Sequence, residues 1–399
     1  MKIKDIRASV HRLPIYLPLF DAPIDHRDHV FCEVETDEGV VGFGMTTRFV
    51  AGAVVSILTR DIFPAVKDMD PRDLERIHER VRAVVSERGF VTGANLAAAS
   101  CFDLALWDII GIEANRTVAQ LLGGYRDHAT VYVTYGFGNY DKDQLVELAR
   151  RLIAQGHTRL KMLVGVPGLG WREDAARVRH VRDAIGADID LALDANESYS
   201  LAEAMKLCRA VEDCDIAWLE DPVHRNEVRD LAHLRRHSTI PLAAGQMEGY
   251  ALRFREFIEN DAIDILLANP MFNGGMTETR KVAALAQIYN KPLSDAGGAT
   301  YFSLHHVAAF RNGTHVECHF KSQFMEENLF VDAPKPTQGK MKVPNAPGFG
   351  LKVNRDLLKD SRIDKPSVPK AARRAPAAEA APEAPDQDIA RVGANGRRQ

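Results

Sequence analysis

From about Val131 the chain repeats one pattern, a short apolar run followed by ten to fifteen residues of helical periodicity, and this alternation restricts the fold more than any other feature. The runs are "ATVYVTYG", "TRLKMLVG", "IDLALDAN", "IAWLEDP", "IPLAAGQ", "IDILLANP", "KPLSDAGG" and "THVECHF". Helical stretches such as "WREDAARVRHVRDAIG" and "LAEAMKLCRAVEDC" separate them. A helix between successive strands makes a crossover, so neighbouring strands run parallel. Eight such units suit a closed (β/α)8 barrel. The alternative is an open doubly wound sheet, but no G-x-G-x-x-G or P-loop spacing supports it, and "GVPGLG" reads as a turn.

The stretch before the barrel has a different texture. "VFCEVETDEGVVGFG" alternates Val30, Cys32 and Val34, turns at Asp37, Glu38 and Gly39, and resumes, as a hairpin does. Helical periodicity follows in "DPRDLERIHERVRAVV" and in "NLAAASCFDLALWDII", where Leu96, Ala99, Phe102, Ala105 and Ile109 fall at helical spacing. Residues 1–125 therefore read as an α+β unit and 126–330 as the barrel. At 399 residues the chain exceeds what one hydrophobic core organises, which agrees with two packed units. Residues 361–399 contain "KPSVPKAARRAPAAEAAPEAPDQD", with almost no large apolar side chain, and are expected to be a disordered tail.

A formal charge of -4 gives no general attraction to nucleic acid or anionic lipid, so neither partner is expected. The start "MKIKDIRASVHRLPIYLPLF" has no continuous apolar core of a signal peptide, and nothing later approaches about 18 uninterrupted apolar residues. A cytoplasmic protein is the expectation. Cys32, Cys101, Cys208, Cys214 and Cys318 are odd in number and scattered, which reads as buried reduced thiols.

Asp194 closes "LALDAN", Glu220 closes "AWLEDP" and Gln246 closes "LAAGQ", with 26 residues from the first to the second and again from the second to the third. Equivalent strand ends of a barrel converge on its C-terminal mouth, where active sites of this architecture lie. Two carboxylates meeting there would raise one pKa or demand a compensating cation, and an all-oxygen set suits hard Mg²⁺. The plainer alternative is that each acid caps its following helix. Lys161, in the upstream run "TRLKMLVG", can point into the same mouth or lie on the surface. Beside a divalent cation its ammonium would be disfavoured, lowering its pKa toward that of a general base. A metal with a base nearby points to removal of the proton next to a carboxylate.

On "ALWDIIG…TVAQLLGG", "LALDANESYS", "WLEDPV", "PLAAGQ", "NGGMTETRKVAALAQ" and the late Glu317 of "HVECH", residues 1 to about 358 resemble the enolase superfamily, in its mandelate racemase and muconate lactonizing enzyme branch. The resemblance implies a modified TIM barrel with an N-terminal α+β capping domain, completed by a segment at 331–360 that returns to the cap. It implies one Mg²⁺ held at Asp194, Glu220 and Gln246, cap loops around Asp21 to His29 and Thr46 to Ala53 that close over a small carboxylate substrate, and a homo-oligomer, dimer or octamer.

Four positions depart from that pattern. Gln246 stands where relatives usually have Glu, Leu163 where a second lysine follows the first, Asn269 where one branch has Asp, and Ala296 where it has His. Racemisation wants an acceptor on one face and a donor on the other. Loss of the Asp and His pair therefore favours dehydration of a hydroxy acid or acid sugar to a 2-keto-3-deoxy acid, with Lys161 and Glu317 as catalytic residues. A racemase or epimerase, or a barrel that binds a ligand without turning it over, are the competing readings. His26, His29, Tyr135, Asn269 and Asp295 are substrate-binding candidates. His315, Glu317 and His319 share a strand face but are spaced too widely for a zinc set. His305 and His306 read as helix residues, one facing solvent and one core.

Overall fold

The computed structural model describes residues 1–48, 50–86 and 92–364. The N-terminal sheet is antiparallel, in the order β1 (Ile3–Ile15), β2 (Asp25–Thr36), β3 (Val41–Thr47). Period-two alternation divides it into two apolar faces. Val30, Cys32 and Val34 pack with the cap helices, while Phe31, Phe43 and Met45 join the core shared with the barrel. The hairpin turn puts Gly39 at φ +83°, where a side chain would be strained.

Helix Ala94–Glu113 lies against β3, and it is apolar on nearly every side because it is buried on nearly every side. Among the described residues it alone is long and apolar enough to cross a membrane, but 78% of that apolar stretch is buried inside the protein. Its approach to β3 requires glycine. A Cβ on Gly44 would stand 1.9 Å from the Cys101 carbonyl oxygen, and one on Gly42 2.1 Å from that of Ala105.

All eight apolar runs form barrel strands: β4 (His128–Gly136), β5 (Arg159–Leu163), β6 (Asp190–Asp194), β7 (Ile216–Glu220), β8 (Leu242–Ala244), β9 (Ile265–Leu267), β10 (Leu293–Ser294) and β11 (His315–His319). They are parallel neighbours in sequence order, and β11 returns to pair with β4 from His315↔Thr130 to His319↔Thr134. Between β10 and β11 the ladder narrows to the bridge Leu293↔Gly313, so the barrel is nearly closed rather than an open sheet. Alternation sends Leu191 and Leu193 outward to the helix layer and Ala192 inward. Tyr132, Ala192, Trp218, Ala243, Leu267 and Ala296 form the apolar plug of the barrel, one layer beneath the mouth.

A buried seam joins cap and barrel. Asp103 of helix Ala94–Glu113 accepts from the Thr277 N–H at 3.0 Å and the Thr277 hydroxyl at 2.5 Å. Trp107 Nε1 donates to Thr277 Oγ1 at 2.9 Å, and Gly274 N–H to Ser100 Oγ at 2.9 Å. The "NGGMT" motif is thus the barrel's half of the seam, and a Cβ on Gly275 would lie 2.2 Å from Asp103 Oδ2. Residues Met1–Asp364 accordingly form one compact unit.

Beyond the barrel, the short strand Lys340–Lys342 adds antiparallel to β4. Asp108 then ties β3 to the C-terminal segment, accepting from Phe43 N–H at 3.0 Å and Phe349 N–H at 2.9 Å. Helix Arg355–Ser361 follows, and the Ile363 N–H donates to the Val10 carbonyl at 2.9 Å, so the C-terminal segment completes the cap. Ser361–Asp364, read from composition as the start of a disordered tail, are therefore ordered against β1; residues 365–399 lie outside the described residues. His305 and His306 are both fully buried, contrary to the expectation that one faces solvent. His305 Nδ1 accepts from Ala119 N–H at 3.1 Å while its Nε2 meets the Phe349 carbonyl at 3.1 Å, which uses the ring to join two segments.

Candidate active site

The inward parity that puts Ala192 and Trp218 in the plug carries Asp194 and Glu220, two residues on, into the layer above it. Lys161 of β5 and Glu317 of β11 enter the same layer. Lys161 Nζ is 2.7 Å from Glu220 Oε2, 3.1 Å from Glu317 Oε1 and 3.3 Å from Asp194 Oδ2, and 5.1 Å above the Tyr132 ring. All four side chains are almost inaccessible to solvent. The surface alternative for Lys161 is excluded. Glu317 is held on three sides, by the Thr134 hydroxyl at 2.5 Å, the Gly298 N–H at 2.8 Å and Lys161.

The electrostatics follow from three buried carboxyls around one buried ammonium. Burial opposes the Lys161 charge, but Glu220, Glu317 and Asp194 outweigh it and hold the ammonium well above the usual lysine range. The lowered pKa expected from the sequence is conditional on a dication beside Nζ; the three carboxylates in contact with it act in the opposite sense. Glu317 is buried too, yet Lys161 and then His319 pull its carboxyl down to about 2. Glu220 is the carboxyl that holds on to its proton: burial pushes it well above the carboxylate range against the pull of Lys161.

Gln246 lies two residues past β8, where Gly245 at φ +124° turns the chain. Its Nε2 donates to Asp221 Oδ2 at 2.7 Å, and its Oε1 sits over Gly297, 2.9 Å from where a Cβ would be. Asp221, the neighbour of Glu220, adopts φ +40° and so turns its carboxylate toward Gln246 and Asn226. Burial, then Asp194, pushes it up to about 7. Among the described residues no three His, Cys, Asp or Glu side chains are arranged as a metal set. The donors are two carboxylates and an amide, with Lys161 between the acids. Glu220 Oε1 is fully buried without a hydrogen-bond partner, an orphaned acceptor beside Asp194, and this donor set fits a hard cation.

Of the other residues singled out from the sequence, Asn269 lies beside the Gln246 oxygen at Gly297. Tyr135 points outward into the helix layer, because Tyr132 and Thr134 take the inward parity of β4; its hydroxyl is buried without a partner. Asp295 turns to the helix that follows it and accepts from Ser303 Oγ at 2.7 Å. Asn269 spends both ends of its amide on backbone, donating to the Ala296 carbonyl at 2.6 Å and accepting from Met271 N–H at 2.9 Å, which fastens β9 to β10. His26 and His29 belong to strand β2 rather than a loop. His29 is buried opposite His11 and stacked on Phe31, while His26 is exposed. His315 stacks on Trp218 at the barrel floor, Glu317 sits in the charged layer and His319 stands at the rim.

Several site residues escaped the sequence reading. Thr134 carries no motif, and Asp221 was masked by Glu220, since two successive strand residues ordinarily face opposite ways. Arg27 of β2, Arg48 just past β3 and Lys321 after β11 reach the rim from distant parts of the chain. Arg27 is drawn down to about 10, by burial first and then by Arg48, while Asp25 and then Glu317 partly offset the shift. Arg48 is crowded enough for desolvation to lower its pKa, although its side chain meets solvent, as happens along the wall of a cleft; Glu317 and Asp194 act on it. No local pattern marks these cations, because only the folded cap brings them to the barrel.

Known proteins share this architecture. The family described as mandelate racemase / muconate lactonizing enzyme, N-terminal domain, matches residues 5–123, and that described as enolase C-terminal domain-like matches residues 144–357. The chain is 27% identical to an arabinonate dehydratase of Saccharolobus solfataricus, over 83% of this chain and 90% of that protein. It is also 27% identical to an N-succinyl-L-Arg/Lys racemase of Bacillus cereus, over 91% and 98%. Among solved structures, an L-talarate dehydratase from Polaromonas sp., complexed with Mg and L-glucarate, superposes with a TM-score of 0.81 at 29% identity, over 91% of this chain and 98% of that one. The relatives are enzymes of both lyase and isomerase kinds. With its cap and its barrel both matched, the chain belongs to the mandelate racemase and muconate lactonizing enzyme branch of the enolase superfamily.

Proposed function

We propose that this protein binds one Mg²⁺ and removes the proton alpha to the carboxylate of a small hydroxy acid, an acid sugar, with loss of water to give a 2-keto-3-deoxy acid. The observation that carries the reading is Lys161 Nζ, buried among Asp194, Glu220 and Glu317 at the barrel mouth beside an orphaned Glu220 oxygen. Asp194, Glu220 and Gln246 would hold the cation. Its charge would favour the electron-rich carboxylate left as the α-proton departs.

The rest falls to the chain's own groups. Lys161 Nζ accepts the α-proton as a neutral amine, after giving its own extra proton to the carboxyls around it, and Glu317, fixed by Thr134, Gly298 and Lys161 itself, keeps that nitrogen in place. The C–H electron pair becomes the new C=C bond while the neighbouring C–O bond breaks, hydroxide leaves as water with the proton that Lys161 took up, and the remaining enol moves a proton from oxygen to carbon to become the keto acid. Positions 269 and 296, at the ends of β9 and β10, supply no second acceptor, since the Asn269 amide is spent on backbone and Ala296 is apolar. That supports dehydration over racemisation or epimerisation.

The test is turnover of a panel of sugar acids with Mg²⁺, with semicarbazide trapping the keto acid. Lys161→Met should abolish both product and exchange of the α-proton with deuterated solvent. Exchange without loss of water would favour the isomerase reading. Binding of Mg²⁺ and acids with neither exchange nor product would favour a ligand-binding barrel.

A further inference from the structure

Behind β11, on the side away from the charged layer, the helices do not fully seal the barrel. On β6 the outward residues Leu191 and Leu193 are completely buried, as a strand covered on both faces requires. On β11 the outward residue Cys318 keeps part of its surface open, and of the five cysteines it alone is not buried. It borders a cavity of ≈ 320 Å³, closed by helix Phe320–Leu329, the end of helix Lys142–Ala154 and the chain at Pro334 and Pro336. The walls are mainly apolar, from Val133, Leu152, Phe320 and Met341, with the Tyr301 ring among them. Glu317 leaves the opposite face of the same strand, so this cavity is separate from the mouth.

Two buried polar side chains line the cavity, and each has an atom left over. Glu326 is 7% exposed and its Oε1 has no hydrogen-bond partner; His157 is 8% exposed and its Nδ1 has none. Buried polar atoms are almost always paired, so two orphans on one cavity mark a place where a ligand supplies the partners. The charge there has one sign. Burial pushes the Glu326 carboxyl well above its usual range, Thr300 pulls it partly back, and Glu317 and Asp295 push it further. After burial, Glu326 is the largest influence raising both Cys318 and Tyr301. Burial lowers the His157 pKa, so its ring is uncharged at neutral pH and offsets none of this acidity.

We propose that this cavity is a second ligand site, apart from the catalytic mouth, and that it takes a small organic ammonium with a ring-sized apolar body. The ammonium donates to Glu326, whose proton passes to solvent as the ion pair forms. The apolar body lies against Val133, Leu152 and Met341, and Tyr301 and Phe320 offer ring faces that attract a cation. An anion is repelled by the same acids. A neutral alcohol of equal shape makes only an uncharged hydrogen bond, about half as strong as a charge-assisted one. The volume stands at the lower end of small-molecule sites, about 300–1,000 Å³.

The experiment is calorimetric titration of the full chain with phenethylammonium and with 2-phenylethanol, in excess Mg²⁺ to compete for the acids of the mouth. Phenethylammonium should bind about tenfold tighter than the alcohol, or more. Glu326→Gln, checked for unchanged circular dichroism, should bring the ratio of affinities close to one. A second measurement needs no variant to fold: on the unaltered protein, phenethylammonium should slow the labelling of Cys318 by methyl methanethiosulfonate, followed by mass spectrometry. Equal affinity for the two compounds, binding of neither, or a ratio undiminished in Glu326→Gln would overturn the proposal. So would Cys318 labelled equally, or not at all, with and without the amine.

Discussion

Gln246→Glu puts a second carboxylate where an amide now donates to Asp221 Oδ2 at 2.7 Å. Asp221 is already pushed up to about 7, so its site resists charge even with the amide's help. Two carboxylates roughly 4 Å apart repel by about 4 kcal/mol at an effective dielectric near 20, and the donated hydrogen bond is lost as well. One bound proton removes most of this penalty by bridging the pair. The new carboxyl's folded-state pKa is raised above its unfolded value, so its penalty is absent below the unfolded pKa and grows as pH rises toward the folded one. In chelator, urea unfolding should therefore place the variant within about 1 kcal/mol of the parent at pH 5 but about 3–4 kcal/mol below it at pH 8. Excess Mg²⁺ should restore the variant at pH 8 more than it stabilises the parent, because a third carboxylate strengthens binding to the folded state. Equal stability of variant and parent at pH 8 in chelator would refute the reasoning, and so would a loss of the same size at both pH values.

Gly44→Ala drives a methyl into the Cys101 carbonyl, 1.9 Å from the built Cβ, and should lower the unfolding free energy by about 3 kcal/mol in a urea titration. Tyr135→Phe removes a buried hydroxyl without a partner and should leave turnover unchanged while stability holds or rises by about 1 kcal/mol. Tyr132→Phe, which loses the 2.6 Å bond to the Asp295 carbonyl beneath the charged layer, should cost about 1–3 kcal/mol. Asp108 is pushed up to about 6 by burial, so its contribution to stability is greatest below about pH 4 and falls by roughly 2–3 kcal/mol as pH rises to 6. Asp108→Asn should remove that part of the slope in unfolding curves taken across the window.

The strands could be read from the sequence because each is a short apolar run between turn-forming residues, buried on both faces. The acids could be read because equal spacing in a repeating unit means an equal place on the barrel, which puts Asp194 and Glu220 at the same level of adjacent strands. Direction within a strand was harder. Tyr132 and Tyr135 differ by odd parity, and which is inward depends on where the strand enters the closed cylinder. Asp221 escaped because a left-handed backbone at φ +40° breaks the alternation that sequence reasoning assumes. Arg27, Arg48 and Lys321 escaped for a different reason: they become neighbours only when a hairpin near the N-terminus folds over the end of the last barrel strand.

The seam between Asp103, Trp107, Ser100 and the Gly274–Thr277 turn bears on how a ligand gets in. Swinging the cap away as a rigid body would break four buried hydrogen bonds together, and each stranded group costs about 1–3 kcal/mol. Such an excursion is rare at equilibrium, so the cap behaves as a fixed roof bolted along one side. Entry that leaves these bonds intact would pass by the connection Tyr16–Ile24 between β1 and β2, which lies outside the seam. Exchange of ligand is thereby uncoupled from the stability of the cap, and lengthening or shortening that connection alters entry and selectivity without loosening the fold.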